Sequence, residues 1–475
     1  MTSEPGYGDL ILSGSDGIPI IPLTASDLTP WLDTANPIAA RWVKAQSFDA
    51  SPGTLIQLPD PDGNISAVLV GVGDLLASAK NPAIWALARA ATALPPGTYR
   101  LDADQVPRVA RHAMAVGWAL SQYRYRRFLP GTSALEPRIL SVGSDIEITA
   151  VTAEIEVVAM TRDLVNTPTN YMLPDALEAV ARAIAHRHDA RCHSIVGDAL
   201  LEENFPTIHA VGRASEVAPR LIELNWGEEN APQVTIVGKG VCFDSGGLDL
   251  KPANGMRWMK KDMGGAAHAL ALADWVMRRK LPIRLQLLVP AVENAVAGNA
   301  FRPGDVLTTR AGITVEIGNT DAEGRLILCD ALSYANERKP QLLLDFATLT
   351  GAARVALGGD LPAFFTPDDD LAQDFAMSSE TLADPLWRLP LWAPYLDDMK
   401  SYLADVNNIN EGNGGFAGAI TAALYLQKFV DPSICWGHFD VYSWNAQSRP
   451  GRPKGGEAMA LRAAFDVIRR RFGDA

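Results

Sequence analysis

The chain has 475 residues, and its 42 basic and 55 acidic side chains give a formal net charge of −13 at pH 7. Apolar residues make up 48% and charged residues 20%, which excludes a disordered, collagenous or coiled-coil chain. The acidic balance argues against binding to nucleic acid or to an anionic membrane surface, because phosphate contacts need clustered Lys and Arg. This length favours about two or three domains.

Cysteine usage and the absence of apolar runs indicate a cytoplasmic protein. The first residues lack the basic and apolar regions of a signal peptide. The sequence contains no run of about 18 apolar residues, so no membrane span is predicted. The cysteines are far apart, lack CxxC spacing and are typical of reduced thiols: Cys192, Cys242, Cys329 and Cys435.

Residues 1–150 predict a small α/β domain. Two short apolar runs at 54–58 and 66–72 flank a segment rich in Pro, Asp and Gly, which predicts a hairpin. Apolar residues at helical spacing then predict helices over 82–94 and 106–128.

Residues 151–187 predict a helical connector to a second domain. Its helical pattern breaks at 166–170 and resumes at Pro174. Residues 188–475 would then form the larger domain.

Apolar runs of strand and helix type alternate in this larger domain. Strands are predicted at 233–237, 283–289 and 342–346, and helices at 265–279 and 330–337. Such alternation predicts an α/β/α domain with a mixed, mostly parallel sheet between helices. Because ligands bind at the carboxyl ends of parallel strands, we expect polar clusters just after Val237, Val289 and Phe346.

Two segments place charged residues among glycines beside apolar elements. The first covers 237–247 and continues to Lys251 and to 262–265; the second covers 319–326. Burying such charges without partners costs several kcal/mol each. These residues therefore pair with one another, line a wet cleft or hold metal.

Four carboxylates in these segments predict a metal centre: Asp244, Asp262, Asp321 and Glu323. Two divalent cations would cancel their charge, and oxygen-rich sites suit Zn, Mn, Mg or Co. Two neighbouring ions can share a water and lower its pKa towards neutrality. Since Asp321, Glu323 and Arg325 recur at a spacing of two, an extended segment would turn all three to one side.

The two segments resemble the signature of the leucyl aminopeptidase (cytosol aminopeptidase) family of two-metal exopeptidases, and 319–326 matches its diagnostic octapeptide. The resemblance runs from about residue 161 to near the C-terminus. Further matching segments are 161–168, 347–352, 387–390, 404–408 and 418–423.

The resemblance implies a role for each matching residue. The implied metal ligands are Lys239, Asp244, Asp262, Asp321 and Glu323, with Asp244 and Glu323 bridging both ions. Lys251 would polarise the scissile carbonyl, and Arg325 would hold a bicarbonate-like anion that acts as general base, aided by a backbone N–H near Leu349. The pocket for the first side chain would be lined by Met259, Thr348 and Gly351.

The implied activity is metal-dependent hydrolysis of the first peptide bond of peptides with a free N-terminus. A hydroxide bridging two ions, Zn or Mn with Mg or Co as alternatives, would attack the carbonyl, and Leu and other apolar first residues would be preferred. The family also implies a homohexamer. The segment around Tyr442 and Trp444 departs from the family pattern beside this pocket, which puts the first-residue preference in doubt.

Other functions fit the same residues less well. Asp244-Ser245-Gly246-Gly247 resembles the surroundings of a serine-protease nucleophile, but that class needs a different fold and a catalytic His. Gly238-Lys239-Gly240 follows a strand as nucleotide-binding loops do, yet it matches neither GxGxxG nor GxxxxGK[ST]. DNA binding by an architectural member of the family is disfavoured by the acidic charge.

Several polar or sulfur side chains near these segments have simpler interpretations. We expect His268 and His438 to be structural and Cys242 and Cys329 to pack as small apolar residues. Lys260 and Lys261 are expected to be surface charges or to lie at the substrate rim.

Overall fold

The computed structural model describes residues 6–73, 82–129, 136–412 and 414–473. These residues divide into two compact units. The first covers the described residues up to Ala159 together with Glu380–Ala383 and Gln447–Lys454, and the second covers the remainder. The predicted order, a small N-terminal α/β domain followed by a larger α/β domain, is confirmed.

The described part of the first unit contains a six-stranded sheet in the order β1-β6-β5-β2-β4-β3. Its strands are β1 (Ile11–Ser13), β2 (Ile18–Leu23), β3 (Leu55–Pro59), β4 (Ile65–Gly71), β5 (Gly97–Leu101) and β6 (Arg138–Val142). All neighbours are parallel except β3 and β4. This antiparallel pair confirms the predicted hairpin.

The helices associated with this sheet are shorter than the sequence predicts. They are α1 (Ala25–Thr34), α2 (Pro37–Ala45), α3 (Ala90–Ala93) and α4 (Arg108–Ser121), with 3₁₀ turns at Tyr7–Leu10 and Ala83–Trp85. The predicted single helix over 82–94 is wrong, because this segment forms only the 3₁₀ turn Ala83–Trp85 and the short helix α3. The backbone of Ile84 packs so closely on α4 that a Cβ at Gly117 would lie 1.4 Å from the Ile84 oxygen. Tertiary packing therefore overrides the local helical pattern.

A long helix, α5 (Ile148–Asn166), contains the boundary between the two units. After a 3₁₀ turn at Thr169–Tyr171, α6 (Pro174–Arg187) begins at the predicted proline.

The described part of the second unit contains a nine-stranded mixed sheet in the order β16-β15-β18-β14-β9-β11-β8-β7, with β10 beside β11. The strands of this unit are β7 (Arg191–Val196), β8 (Arg220–Trp226), β9 (Gln233–Gly238), β10 (Gly240–Asp244), β11 (Arg284–Asn294), β12 (Val306–Thr308), β13 (Thr314–Glu316), β14 (Leu342–Ala347), β15 (Ala363–Phe365), β16 (Trp387–Arg388), β17 (Val406–Asn407), β18 (Trp436–Asp440), β19 (Trp444–Asn445) and β20 (Gly455–Gly456). The central neighbours β18, β14, β9 and β11 are parallel, which confirms the mixed, mostly parallel sheet.

Helices cover both faces of this sheet. The helices that follow α6 are α7 (Ala199–Glu202), α8 (Pro206–Gly212), α9 (Ala253–Met256), α10 (Gly264–Arg278), α11 (Glu323–Asn336), α12 (Gly351–Leu357), α13 (Asp369–Leu382), α14 (Gly418–Gln427) and α15 (Leu461–Phe472), with 3₁₀ turns at Met259–Met263 and Ala393–Met399. In the described residues, no helix is both long and apolar enough to cross a membrane.

The strand alternation assigns these helices to opposite sides of the sheet. Val237 belongs to a buried cluster with Leu326 of α11, whereas a Cβ at the next residue, Gly238, would lie 2.6 Å from Ala269 of α10. Successive residues of a strand point to opposite faces, so α10 and α11 cover different faces. The predicted α/β/α arrangement is confirmed.

The central strands end at one edge of the sheet. In the parallel register, Phe346 pairs with Gly238 and Ala347 with Asp440, so the residues that follow these strands are neighbours. Polar residues lie there after β9 and β14, as predicted. The expectation for Val289 is wrong, because β11 continues to Asn294 and the polar side chain comes at that later end.

The second motif is not extended. Helix α11 begins at Glu323, seven residues before the predicted start at Asp330, so Glu323 and Arg325 lie in its first turn. We expected Asp321, Glu323 and Arg325 to face one side because they are two residues apart. This expectation is wrong, since successive helical residues rotate by about 100°.

We predict that Gly265→Ala destabilises the second unit. A Cβ at Gly265 would lie 2.1 Å from the Phe346 oxygen and 2.9 Å from the Lys239 nitrogen, where α10 meets the ends of β14 and β9. Forced overpacking costs about 1–3 kcal/mol. Urea unfolding followed by circular dichroism measures this loss.

Gly298→Ala is the matched control, because a Cβ at this exposed loop glycine has no heavy atom within 4 Å. An unfolding midpoint for Gly265→Ala equal to that of the control contradicts the close packing.

Candidate metal centre

Three buried carboxylates from distant parts of the chain converge at this edge of the sheet. Asp244 ends β10, Asp262 lies in the 3₁₀ turn Met259–Met263, and Glu323 begins α11. One oxygen from each lies within 4.8 Å of the other two. Asp321, the fourth predicted acid, lies at the margin of this cluster with a side chain 33% exposed.

Lys239 enters the middle of the cluster from the end of β9. Its Nζ lies 2.7 Å from Asp262 Oδ2 and 3.0 Å from Glu323 Oε1, and it donates a hydrogen bond of 2.8 Å to the Thr348 carbonyl. Burial disfavours the charged amine, but the surrounding carboxylates outweigh burial and raise the pKa of Lys239 above its ordinary value.

The approach of Lys239 depends on Gly324 in the first turn of α11. A Cβ there would lie 2.5 Å from Lys239 Cε, so a larger residue would push the amine out of the cluster. The glycine of the second motif therefore positions the lysine of the first.

Lys251 joins Asp321 to the cluster. Its Nζ lies 2.8 Å from Asp244 Oδ2 and also contacts Asp321 Oδ1. Burial favours the neutral amine, but Asp244 and Asp321 outweigh it and raise the pKa of Lys251 above its ordinary value. Lys251 therefore stays charged at neutral pH.

The acids repel one another despite these two cations. Burial and the charge of Asp244 raise the pKa of Glu323 to about 8, and the same two causes raise the pKa of Asp321 to about 6. If all four carboxylates ionise, they exceed the two ammonium groups by two negative charges in a buried site. Such a site stabilises added positive charge.

Two residues orient these acids, and the sequence did not predict this role for either of them. Asn294, at the end of β11, donates to Asp244 Oδ1 over 2.9 Å. Thr348 donates from Oγ1 to Asp262 Oδ1 over 2.8 Å, although the sequence indicates only a pocket role for it. The sequence signal for Asn294 is its position as a polar residue at the end of a long, mostly buried strand.

Arg325 is buried behind the cluster, and burial lowers its pKa. Its Nη1 donates to the Asn408 carbonyl over 2.7 Å, whereas its Nε lacks a hydrogen-bond partner among the described residues. An unpaired N–H of a buried guanidinium beside the first turn of a helix fits an anion.

The backbone N–H of Leu349 already has an acceptor within the protein. It donates to Asp440 Oδ1 over 3.0 Å, and the same carboxylate accepts the N–H and the hydroxyl of Thr350 over 3.1 and 2.6 Å. Asp440, which the sequence analysis missed, therefore holds the loop before α12.

The predicted pocket residues lie around the cluster. Met259 begins the turn that carries Asp262, Thr348 contacts Asp262 directly, and Gly351 is the exposed first residue of α12. Lys261, expected at the surface or rim, is instead buried with 7% exposure. Burial lowers its pKa. Packing of the 3₁₀ turn against the sheet edge, which local sequence does not reveal, causes this burial.

The geometry contradicts a serine nucleophile. Ser245 Oγ donates to the Asn294 carbonyl over 2.7 Å and accepts the Gly247 N–H over 3.1 Å, so its hydroxyl serves the turn. The structural interpretation of both histidines is confirmed. His268 bonds to the Gly264 carbonyl and the Met459 N–H, and His438 lies 2.5 Å from Asp345 inside the sheet.

The residues present fit divalent metal ions. The donor set consists of carboxylates that converge within coordinating reach, and Glu323 Oε2 is buried without a hydrogen-bond partner among the described residues. Hard oxygen donors with an uncompensated negative charge suit Mn, Mg, Zn or Co.

Comparison with known proteins agrees with this site. Residues 159–465 match the model of the cytosol aminopeptidase family, catalytic domain, and residues 18–139 match the model of the M17 aminopeptidase N-terminal domain. The probable cytosol aminopeptidase of Syntrophotalea carbinolica is 39% identical over 378 residues, which cover 76% of this chain and 75% of that protein.

Solved structures share the whole fold. Cytosol aminopeptidase from Coxiella burnetii is 44% identical with a TM-score of 0.92, covering 98% of this chain and 100% of that one. The bottromycin maturation enzyme BotP in complex with Mn is 34% identical with a TM-score of 0.85, covering 96% and 99% of the two chains. The chain therefore belongs to the cytosol aminopeptidase family and is a metal-dependent aminopeptidase.

Proposed function

We propose that the chain removes the first residue from peptides with a free N-terminus by means of two divalent ions held by Lys239, Asp244, Asp262, Asp321 and Glu323. The observation that carries this proposal is the convergence of three buried carboxylates within 4.8 Å beside a charged lysine. When bound, such ions would supply Lewis acidity, which lowers the pKa of water and makes it nucleophilic towards the first peptide carbonyl at neutral pH.

The protein side chains bind and orient the substrate. The α-amine of the peptide approaches Asp262, which explains why the enzyme acts at the free N-terminus. Lys251, held beside Asp244 and Asp321, donates to the scissile carbonyl oxygen and stabilises the charge that develops there.

Arg325 would hold a bicarbonate-like anion, and this anion would supply a general base for proton transfer to the leaving amine. The Nε of the buried guanidinium has no hydrogen-bond partner in the part of the chain that the structure describes, which supports this assignment. The N–H of Leu349 donates to Asp440, so we do not assign it to this anion.

Met259, Thr348 and Gly351 form the pocket for the first side chain, and we propose that it accepts Leu and other apolar residues. We further propose Zn or Mn as the resident ions with Mg or Co as alternatives, a homohexamer, and a cytoplasmic location. The domain boundaries that we propose are 1–150, 151–187 for the helical connector, and 188–475 for the catalytic domain.

Removing metal should abolish activity. We predict that dialysis against a chelator lowers hydrolysis of leucyl-p-nitroanilide by at least about 100-fold and that added Mn²⁺ or Zn²⁺ restores it, because the ions supply the nucleophile. Steady-state assays before and after metal addition measure the effect.

Ser245→Ala is the control, since the described partners of its hydroxyl are two backbone groups, the Asn294 carbonyl and the Gly247 N–H. This variant should keep most of its metal-dependent activity. Full hydrolysis by metal-free protein, or loss of hydrolysis in Ser245→Ala with metal bound, contradicts the proposal.

Metal binding should release protons. The carboxyl group of Glu323, with its pKa raised to about 8, is mostly protonated at pH 7. It must ionise to bind a cation. The affinity for Mn²⁺ should therefore increase as the pH rises from 6 to 8, with about one or more protons released per chain at pH 7.

Calorimetric titration of metal-free protein with Mn²⁺, in buffers of different ionisation enthalpy, counts these protons. Glu323→Gln should release fewer, whereas Glu337→Gln, which removes an exposed partner of Arg310, should match the wild type. An affinity independent of pH argues against Glu323 as a ligand.

A further inference from the structure

Lys261 is a buried lysine beside the metal centre. It is 7% exposed and directly precedes Asp262. Its Nζ lies 5.2 Å from the centre of the Tyr442 ring. Among the residues that the structure describes, no oxygen atom forms an ion pair or a hydrogen bond with this ammonium group.

The neighbouring lysines have oxygen partners of a kind that Lys261 lacks among the described residues. Lys239 and Lys251 each contact two carboxylates. Lys260 has an aromatic contact like that of Lys261, with Nζ 5.6 Å from the Trp444 ring, but it also donates to the Asn166 carbonyl over 2.6 Å. A cation–π contact offsets only part of the cost of removing an ammonium from water. The Lys261 amine therefore retains the capacity to bind an anion.

Tyr442 places this amine at the catalytic edge of the sheet. The preceding residue, Val441, donates to the Ala347 carbonyl over 2.9 Å, so Tyr442 lies beside the loop that begins at Thr348. Arg354 of α12 holds the ring at its hydroxyl end, where Nη1 lies 3.1 Å from the Tyr442 hydroxyl. The ring is thus a fixed support for the Lys261 side chain.

The acids near Lys261 are occupied by other donors. Asp262 is bound by Lys239 and by Thr348, and Asp440 accepts three hydrogen bonds from Leu349 and Thr350. An anion from outside the chain is therefore the group that can pair with Lys261. Lys261 shares its 3₁₀ turn with Met259, which we assign to the pocket for the first side chain, so the side chain of the first substrate residue is the group that could bring this anion.

We propose that Lys261 determines specificity by binding the side-chain carboxylate of an acidic first residue, so that the enzyme accepts N-terminal Glu and Asp and favours Glu over the isosteric Gln. This inference rests on the proposed aminopeptidase mechanism. Apolar first residues remain substrates, because the Lys261 amine keeps its contact with Tyr442 when no carboxylate is present.

The test compares kcat/KM for glutamyl-p-nitroanilide and glutaminyl-p-nitroanilide, which differ in charge and hardly in shape. The wild-type enzyme with Mn²⁺ should favour Glu by about 10- to 100-fold, the effect of one charge-assisted hydrogen bond. Lys261→Met should remove this preference, and Lys261→Arg should keep part of it. Lys260→Met is the matched control and should keep the wild-type ratio, because Lys260 pairs with a backbone carbonyl.

The outcomes separate this inference from the proposed function. Hydrolysis of leucyl and glutaminyl substrates with no preference for glutamyl overturns the role of Lys261 and leaves the aminopeptidase mechanism intact. Equal loss of the Glu preference in Lys260→Met and Lys261→Met also overturns it. Failure of the metal-loaded wild type to hydrolyse any of the three substrates overturns both.

Discussion

Mutual repulsion among buried carboxylates is the constraint on which the rest of this site depends. Asp244, Asp262 and Glu323 meet within 4.8 Å, and two lysines neutralise only part of their charge and that of Asp321. Such a cluster costs stability unless cations compensate it. Burial and this repulsion together raise the pKa values of Asp321 and Glu323. The site is thus built for added positive charge, and metal dependence follows from electrostatics as much as from family membership.

The fold supplies the rigid edge that holds these charges together. Parallel strands β18, β14 and β9 end side by side, and the helix α10 packs so tightly on the ends of β14 and β9 that Gly265 has no room for a Cβ. Gly324 likewise has no room for a Cβ, because the side chain of Lys239 packs against it. Polar side chains such as Asn294 then fix the orientation of the acids. Chemistry at the edge therefore depends on close backbone contacts that glycine alone permits.

Much of this was predictable from sequence. Long apolar strands and the alternation with helices predicted the catalytic fold, and the glycine-flanked charges predicted the residues that converge, because buried charge has few structural explanations. Properties set by distant packing were not predictable. Residues 82–94 do not form one helix because α4 packs on their backbone, α11 begins at Glu323 rather than Asp330, and β11 runs on to Asn294. Asp440 was missed as a site residue, and the burial of Lys261 was not predicted, because the groups that they contact come from other parts of the chain.

Anomalous scattering at the manganese edge, from crystals grown with Mn²⁺, tests the central claim most directly. The account predicts two strong peaks per chain, both among the carboxylates of Asp244, Asp262, Asp321 and Glu323, with Lys239 Nζ turned from its acid partners towards one ion. Peaks located elsewhere, or a cluster that keeps both lysine ion pairs and binds no metal, would contradict it.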